Sequence, residues 1–215
     1  ALLARTSVPR LRLSSLEPWD LDADFFSLWG DPRLCRHLHL PLQSGSQTVL
    51  KHMARKTTPE SYRALVHTAR QAIPQAAITT DIITGFPGET EADFYETLKF
   101  VKLMDFAGGH VFSYSSRPGT PAAHMKGQVR SEVIKARNAV LRKVLAGCSE
   151  SYRRKFIGRT MPVLWEATST LTDAGWQNEG LTGNYLRVKA ISSEPRWNRM
   201  DEVLLTDLVE NGLIG

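Results

Sequence analysis

The chain has 215 residues, 42% of them hydrophobic and 23% charged, with a formal net charge of +5 at neutral pH. That suffices for one large domain or a medium and a small one, and no apolar run approaches the ~20 residues a membrane-spanning helix needs. Two cysteines, Cys35 and Cys148, are too few for a metal cluster and too far apart to suggest a disulfide framework, which points to a reducing, cytoplasmic setting.

Ala1-Leu2-Leu3-Ala4-Arg5 is too short an apolar run for a signal peptide and lacks a basic leader. It reads as the last turn of a helix already under way, so the chain is expected to be cut from something longer. Strands are expected at 10–14, 38–42, 78–84 and 110–114. Helices are expected at 22–29 with Asp22 as cap, at 47–53, at 58–72 with Thr58 as cap and Pro59 behind it, and at 91–104. Alternation with such long crossovers implies a parallel sheet covered by helices, and four units are too few for a closed barrel of eight. A helix over 131–156 follows, with Val133, Val140, Val144, Cys148 and Tyr152 as its buried stripe. Short strands are then expected at 161–167, 185–191, 202–206 and 213–215, separated by Asp-Ala-Gly, Thr-Gly-Asn and Asn-Gly turns. The expected fold class is therefore α/β, a partial parallel (β/α) barrel over 1–157 followed by a small all-β, OB-like barrel over 158–215. Trp165, in mid-strand, is expected in the core of that small barrel.

In parallel α/β folds ligands meet the carboxyl ends of the strands. Those ends carry Ser14-Ser15-Leu16-Glu17-Pro18, Gln43-Ser44-Gly45-Ser46, Gly85-Phe86-Pro87-Gly88-Glu89-Thr90 and Tyr114-Ser115. Taken alone, the glycine-rich stretch is a strand-to-helix cap. As a phosphate loop it fits poorly, because Glu89 in the first helical turn would repel an anion and no Gly-Lys-Thr follows. A ring-shaped ligand bearing a cation suits it better. His37-Leu38-His39 puts two imidazoles on one side of a strand. The sequence places no third metal ligand, so His39 reads as a polar group lining the barrel. Between Lys126 and Arg159 ten Lys/Arg face only Glu132 and Glu150, the electrostatic footprint of a polyanion partner or of a solvated helix face.

RLRLSSLEP, LCRHLHLPLQSGS, AITTDIITGFPGET and FSYSSRPGTPAA, in that order, resemble the radical S-adenosylmethionine methylthiotransferases. GLTGNYLRV resembles their C-terminal TRAM module, an RNA-binding barrel. The blocks are most similar to the branch that modifies N6-threonylcarbamoyladenosine beside the tRNA anticodon. The resemblance implies a fragment made of part of the radical SAM barrel and the TRAM domain. It implies S-adenosylmethionine and a [4Fe–4S] cluster as cofactors, an electron donor and a sulfur source, and a tRNA anticodon stem-loop as partner. Ser15 and Glu17 match positions near the methionine moiety, Gln43 and Ser44 the ribose side, Ile83 and Gly85 the adenine edge, and Tyr114 and Ser115 the last strand. Arg153, Arg154, Lys155, Arg159, Tyr185 and Arg187 are the RNA-binding candidates. The family's Cys-x3-Cys-x2-Cys loop is absent, so the cluster ligands are not in this chain, which is expected to be inactive alone. A non-catalytic RNA-binding protein that kept the scaffold, and a methylthiotransferase acting on a ribosomal protein, remain open alternatives.

Overall fold

The computed structural model describes residues 2–14 and 16–215. The helices are α1 (Leu2–Arg5), α2 (Ala23–Ser27), α3 (Gln47–His52), α4 (Pro59–Ala72), α5 (Glu91–Met104), α6 (Pro121–His124) and α7 (Ser131–Arg154). The strands are β1 (His37–His39), β2 (Ala77–Thr84), β3 (Gly108–Ser113), β4 (Thr160–Thr172), β5 (Gly175–Thr182), β6 (Arg187–Ser192), β7 (Met200–Leu204), β8 (Asp207–Val209) and β9 (Gly212–Ile214).

β1, β2 and β3 form a parallel sheet in that order. The period of two along β2 sorts its side chains: Ile78, Thr80, Ile82 and Thr84 are buried, while Thr79, Asp81 and Ile83 are half-exposed on the other face. The buried set joins Leu38, Leu40, Tyr62, Val66, Phe94 and Val101 in a core covered by α4 and α5. Helix starts follow local chemistry. Asp22 accepts a hydrogen bond from the Phe25 N–H at 2.8 Å, and Thr58 and Thr90 each close a capping box, with Ser61 and Asp93 respectively.

Three differences from expectation matter. Residues 10–14 form no strand: Leu11 makes one isolated parallel bridge to Leu34, while Arg10 and Arg12 reach the carbonyls of Leu181 and Thr182 at 3.1 and 3.4 Å. The sheet therefore has three strands among the described residues, not four. Pro41 has no N–H to give a ladder, and β1 ends before it, at His39. On α7, Val140 is 43% exposed, and the buried positions are Arg137, Asn138, Leu141, Leu145 and Tyr152. The stripe crosses two polar residues because both have partners beneath them. Arg137 is paired with Glu89, and Asn138 is bonded to Thr84 and Ser113.

The second sheet has the order β7-β4-β5-β6-β9-β8 and is antiparallel except for β6 with β9. β7 and β8 lie at opposite ends of that order yet are separated only by Leu205 and Thr206, so the sheet must curl until its edges approach. β5 escaped the sequence reading, although the Asp-Ala-Gly turn before it did not. Trp165 is in the core, as expected, with Val163, Val188, Leu205 and Leu213. That cluster also takes in Tyr152 from the last turn of α7, Phe156 just beyond it and Ala77 from the start of β2. Among the described residues no helix is long and apolar enough to cross a membrane.

Candidate nucleoside site at the strand ends

A cavity of about 830 Å³ opens at the carboxyl ends of β1–β3, lined among others by Gln43, Arg55, Asp81, Ile83, Phe112, Tyr114 and Ser115. Register explains the grouping. Asp81 pairs with His110 and Ile83 with Phe112, and Gln43 bridges Ile82, its N–H donating to the Asp81 carbonyl and its carbonyl accepting from the Ile83 N–H, both at 2.8 Å. Gln43 adopts φ +68°, a left-handed conformation that turns the chain at the end of this strand edge.

Two buried polar atoms in this cavity have no hydrogen-bond partner: Asp81 Oδ1 and Tyr114 Oη. Such groups are costly unless something satisfies them. The other carboxylate oxygen, Asp81 Oδ2, accepts from His39 Nε2 at 3.2 Å. His39 Nδ1 and His37 Nε2 both meet Thr79 Oγ1 at 3.0 Å. With Asp81 ionised the chain has one polarity: His39 donates to Asp81, Thr79 donates to His39, and His37 donates to Thr79. His37 Nδ1 is then left as a buried acceptor without a partner. Burial, helped by Arg12 and His39, holds the His37 pKa down at about 4, in keeping with a neutral ring.

The remaining strand-end candidates are placed elsewhere. Ser15 lies outside the described residues. Glu17 is exposed, ahead of a short 3-10 turn, and is not in the cavity wall. Ser44 is fully buried, its hydroxyl bonded to Thr97 at 3.0 Å and accepting the Ser46 N–H at 3.1 Å. Gly85 has φ +76°, and a Cβ there would stand 2.3 Å from Ile134 Cγ1 of α7. Its missing side chain makes room for a helix. Glu89 folds back under the same loop, accepting the Gly85 N–H at 2.7 Å and Arg137 Nη1 at 2.6 Å. Burial pushes the Glu89 carboxyl up, against the opposing pull of the Gly85 N–H and Arg137.

Asp81, Arg55 and Phe112 were missed as site residues. The signal for Asp81 was present: in TTDIIT the period of two puts it on the same face as Ile83. Nothing local marked Arg55.

A second cleft, of about 460 Å³, lies between the amino ends of β1–β3 and the second sheet. It brings together Arg153, Tyr185 and Arg187 with His37, His39 and His110, and no Asp or Glu lines it. Arg153 Nε is buried there without a partner. Tyr185, at φ +65°, stacks on His37 with centroids 4.3 Å apart, and the Arg12 guanidinium sits over its ring at 4.5 Å. Arg187 is within 3.5 Å of Glu179. Arg154, Lys155 and Arg159 are not in this cleft: Arg154 pairs with Glu150, Lys155 with Asp105 at 3.0 Å, and Arg159 lies over Phe156.

The cavity suits a nucleoside that bears a cation, because Asp81 and Tyr114 offer unmet polar atoms and Ile83, Phe86 and Phe112 offer flat apolar contact. S-Adenosylmethionine fits that description. A [4Fe–4S] cluster does not fit the described residues. Cys35 is buried, burial raises the Cys148 thiol on α7, and no group of three or more His, Cys, Asp or Glu among the described residues is placed to hold a metal.

Residues 10–101 match the Radical SAM superfamily. A tRNA-2-methylthio-N(6)-dimethylallyladenosine synthase of Maricaulis maris is 44% identical over 160 residues, which cover 74% of this chain and 35% of that protein. The Threonylcarbamoyladenosine tRNA methylthiotransferase MtaB of Thermotoga maritima is 44% identical over 158 residues, covering 73% and 36%. A dimethylallyladenosine synthase of Corynebacterium jeikeium is 39% identical over 207 residues, covering 95% and 40%. The chain thus spans 35–40% of the length of these relatives. Among solved structures, coproporphyrinogen III oxidase (HemN) of Escherichia coli, a radical SAM enzyme, superposes with a TM-score of 0.52 at 16% identity, over 81% of this chain and 44% of that one. At that identity the likeness speaks for the fold alone.

Proposed function

The chain is homologous to the radical S-adenosylmethionine methylthiotransferases, and from that premise we propose that it is part of a tRNA methylthiotransferase acting at C2 of N6-threonylcarbamoyladenosine beside the anticodon. The observation that carries the reading is the strand-end cavity with its two unmet polar atoms, Asp81 Oδ1 and Tyr114 Oη. The family works with S-adenosylmethionine and a [4Fe–4S] cluster. When bound, S-adenosylmethionine supplies radical and methyl chemistry. In this reading the cluster's thiolates come from polypeptide outside these 215 residues, and an electron donor and a sulfur source act with the whole enzyme in the cytoplasm.

The chain's own residues bind and orient. Asp81, steadied by His39, accepts a hydrogen bond from a nucleoside donor. Ile83, Phe86, Phe112 and Tyr114 cover the ring and keep water from it. Gln43 and Ser115 offer polar contacts at the rim. Arg153, Tyr185 and Arg187, in a cleft without carboxylates, are assigned to the RNA strand. A dimethylallyl-bearing adenosine is the second reading, favoured by the names of the Maricaulis and Corynebacterium relatives.

The test is mass spectrometry of tRNA nucleosides from cells that lack the gene and regain it as wild type or Asp81→Asn. The methylthio derivative of N6-threonylcarbamoyladenosine should vanish, return with wild type, and return at least about tenfold lower with the variant, which loses a charge-assisted bond. Return of the dimethylallyl derivative in its place would establish the second reading. No change in any methylthio nucleoside would end both.

A further inference from the structure

We infer that the cleft between the two sheets reads a ribose 2′-hydroxyl, whose hydrogen His37 Nδ1 accepts while Arg153 Nε donates to the adjoining phosphate, so that this face tells RNA from DNA. The inference deepens the assignment of the cleft to an RNA strand and rests on it. Two buried polar atoms of the cleft wall have no hydrogen-bond partner, His37 Nδ1 and Arg153 Nε. They come from different elements, β1 and α7, and they have opposite needs.

Neighbours fix the character of each atom. His39 Nε2 gives its hydrogen to Asp81 at 3.2 Å, so His39 Nδ1 takes the Thr79 hydroxyl hydrogen at 3.0 Å. Thr79 Oγ1 is then free only to accept, and His37 Nε2, also 3.0 Å from it, carries a hydrogen. In a neutral ring that leaves His37 Nδ1 as a bare lone pair. Burial, Arg12 and His39 all oppose a second proton there. Such an atom takes a hydroxyl hydrogen and rejects a phosphate oxygen. Arg153 Nε asks for the reverse. No Asp or Glu lines the cleft, and Arg187, the other arginine in it, already reaches Glu179.

A ribonucleotide presents both partners side by side: a 2′-hydroxyl that donates, and a 3′-phosphate that only accepts. DNA keeps the phosphate and lacks the hydroxyl. The half-exposed ring of Tyr185 lies over His37, and a strand displaces it to reach the imidazole. A free nucleotide with a 3′-phosphate carries the same pair of groups, so the experiment includes one.

The full chain and its His37→Phe and Arg153→Gln variants are titrated, by fluorescence anisotropy, with three stem-loops of one sequence. These are RNA, DNA, and RNA fluorinated at every 2′ position, which keeps the sugar pucker of RNA and has no hydroxyl to donate. Circular dichroism checks that the variants fold, and the wild-type comparison stands without them. Wild type should bind RNA about fivefold or more tighter than either other stem-loop. His37→Phe should remove most of that preference and leave the slope of log affinity against log salt unchanged. Arg153→Gln should lower the slope by about 1 and keep the preference. Adenosine 3′-monophosphate should displace the RNA only at millimolar concentration or above. Equal binding of RNA and fluorinated RNA by wild type would overturn the inference, and so would a preference that persists in His37→Phe. In either case the assignment of the cleft to RNA survives if Arg153→Gln still lowers the slope. Displacement by micromolar adenosine 3′-monophosphate, lost in His37→Phe, would give the site to a free nucleotide instead. An unchanged slope in Arg153→Gln would remove the cleft's assignment to RNA and the inference with it.

Discussion

His37 illustrates how burial sets chemistry in this protein. It is 5% exposed, flat against Tyr185, and donates to Thr79 while its other nitrogen has no partner. Its folded pKa of about 4 lies below the unfolded value of 6.5, so the unfolded chain binds more protons between those two points. Stability from this residue is complete above pH 6.5 and is lost as pH falls through about 4. At pH 5 the cost should be about 2 kcal/mol relative to pH 8, readable by urea denaturation. His37→Gln should remove that pH dependence. A variant as acid-sensitive as wild type would show that another group is responsible. Glu89 belongs to the same scale, since its carboxylate ties Gly85 and Arg137 together, in keeping with the sequence reading of an acid that orders this loop.

At the scale of elements, α7 is what closes the strand-end loop. Ile134 fills the space over Gly85, Arg137 reaches Glu89, and Asn138 bonds to Thr84 and Ser113 at the ends of β2 and β3. Gly85→Val should therefore destabilise the fold by about 2–4 kcal/mol, through the left-handed backbone and the clash with Ile134, as read from thermal or urea melts. Adding Ile134→Ala should recover the steric part and leave the backbone part. If the valine variant melts like wild type, the close packing of α7 on this loop is wrong. The sequence supported the opposite expectation, a glycine left bare for an adenine ring, because a strand-to-helix glycine looks the same whichever body fills the space above it. It also misplaced the buried stripe of α7: apolar periodicity favoured Val140 and could not credit Arg137 and Asn138, which are buried only because their partners lie far along the chain.

For the molecule as a whole, the two sheets are joined through Tyr152. Its hydroxyl donates to the Gln75 carbonyl at 2.8 Å and accepts from Asn184 Nδ2 at 2.9 Å, while its ring meets Phe156 in the buried cluster that also holds Ala77 and Trp165. The carboxylate-free cleft beside it is the assigned path of the RNA strand. Arg153→Gln should reduce the slope of log affinity for tRNA against log salt by about 1, whereas Arg187→Gln and Arg154→Gln should each do less, because Glu179 and Glu150 already compensate those charges. Equal slopes for all three would detach the cleft from RNA binding.

The sequence by itself determined the alternation of strands and helices, the caps at Asp22 and Thr58, the change to antiparallel strands after α7, and the ordered blocks that carry the family likeness. Those features depend on neighbours within about a turn or a hairpin, where residue identity settles the energetics. Only the tertiary structure decided that residues 10–14 make a single bridge and no strand, that Asp81 and Tyr114 share a cavity with Arg55, and that Glu89 meets Arg137. These are meetings of residues from about 25 to 60 positions apart, set by how the crossover helices pack and how the strands register. No local pattern of residues encodes those distances.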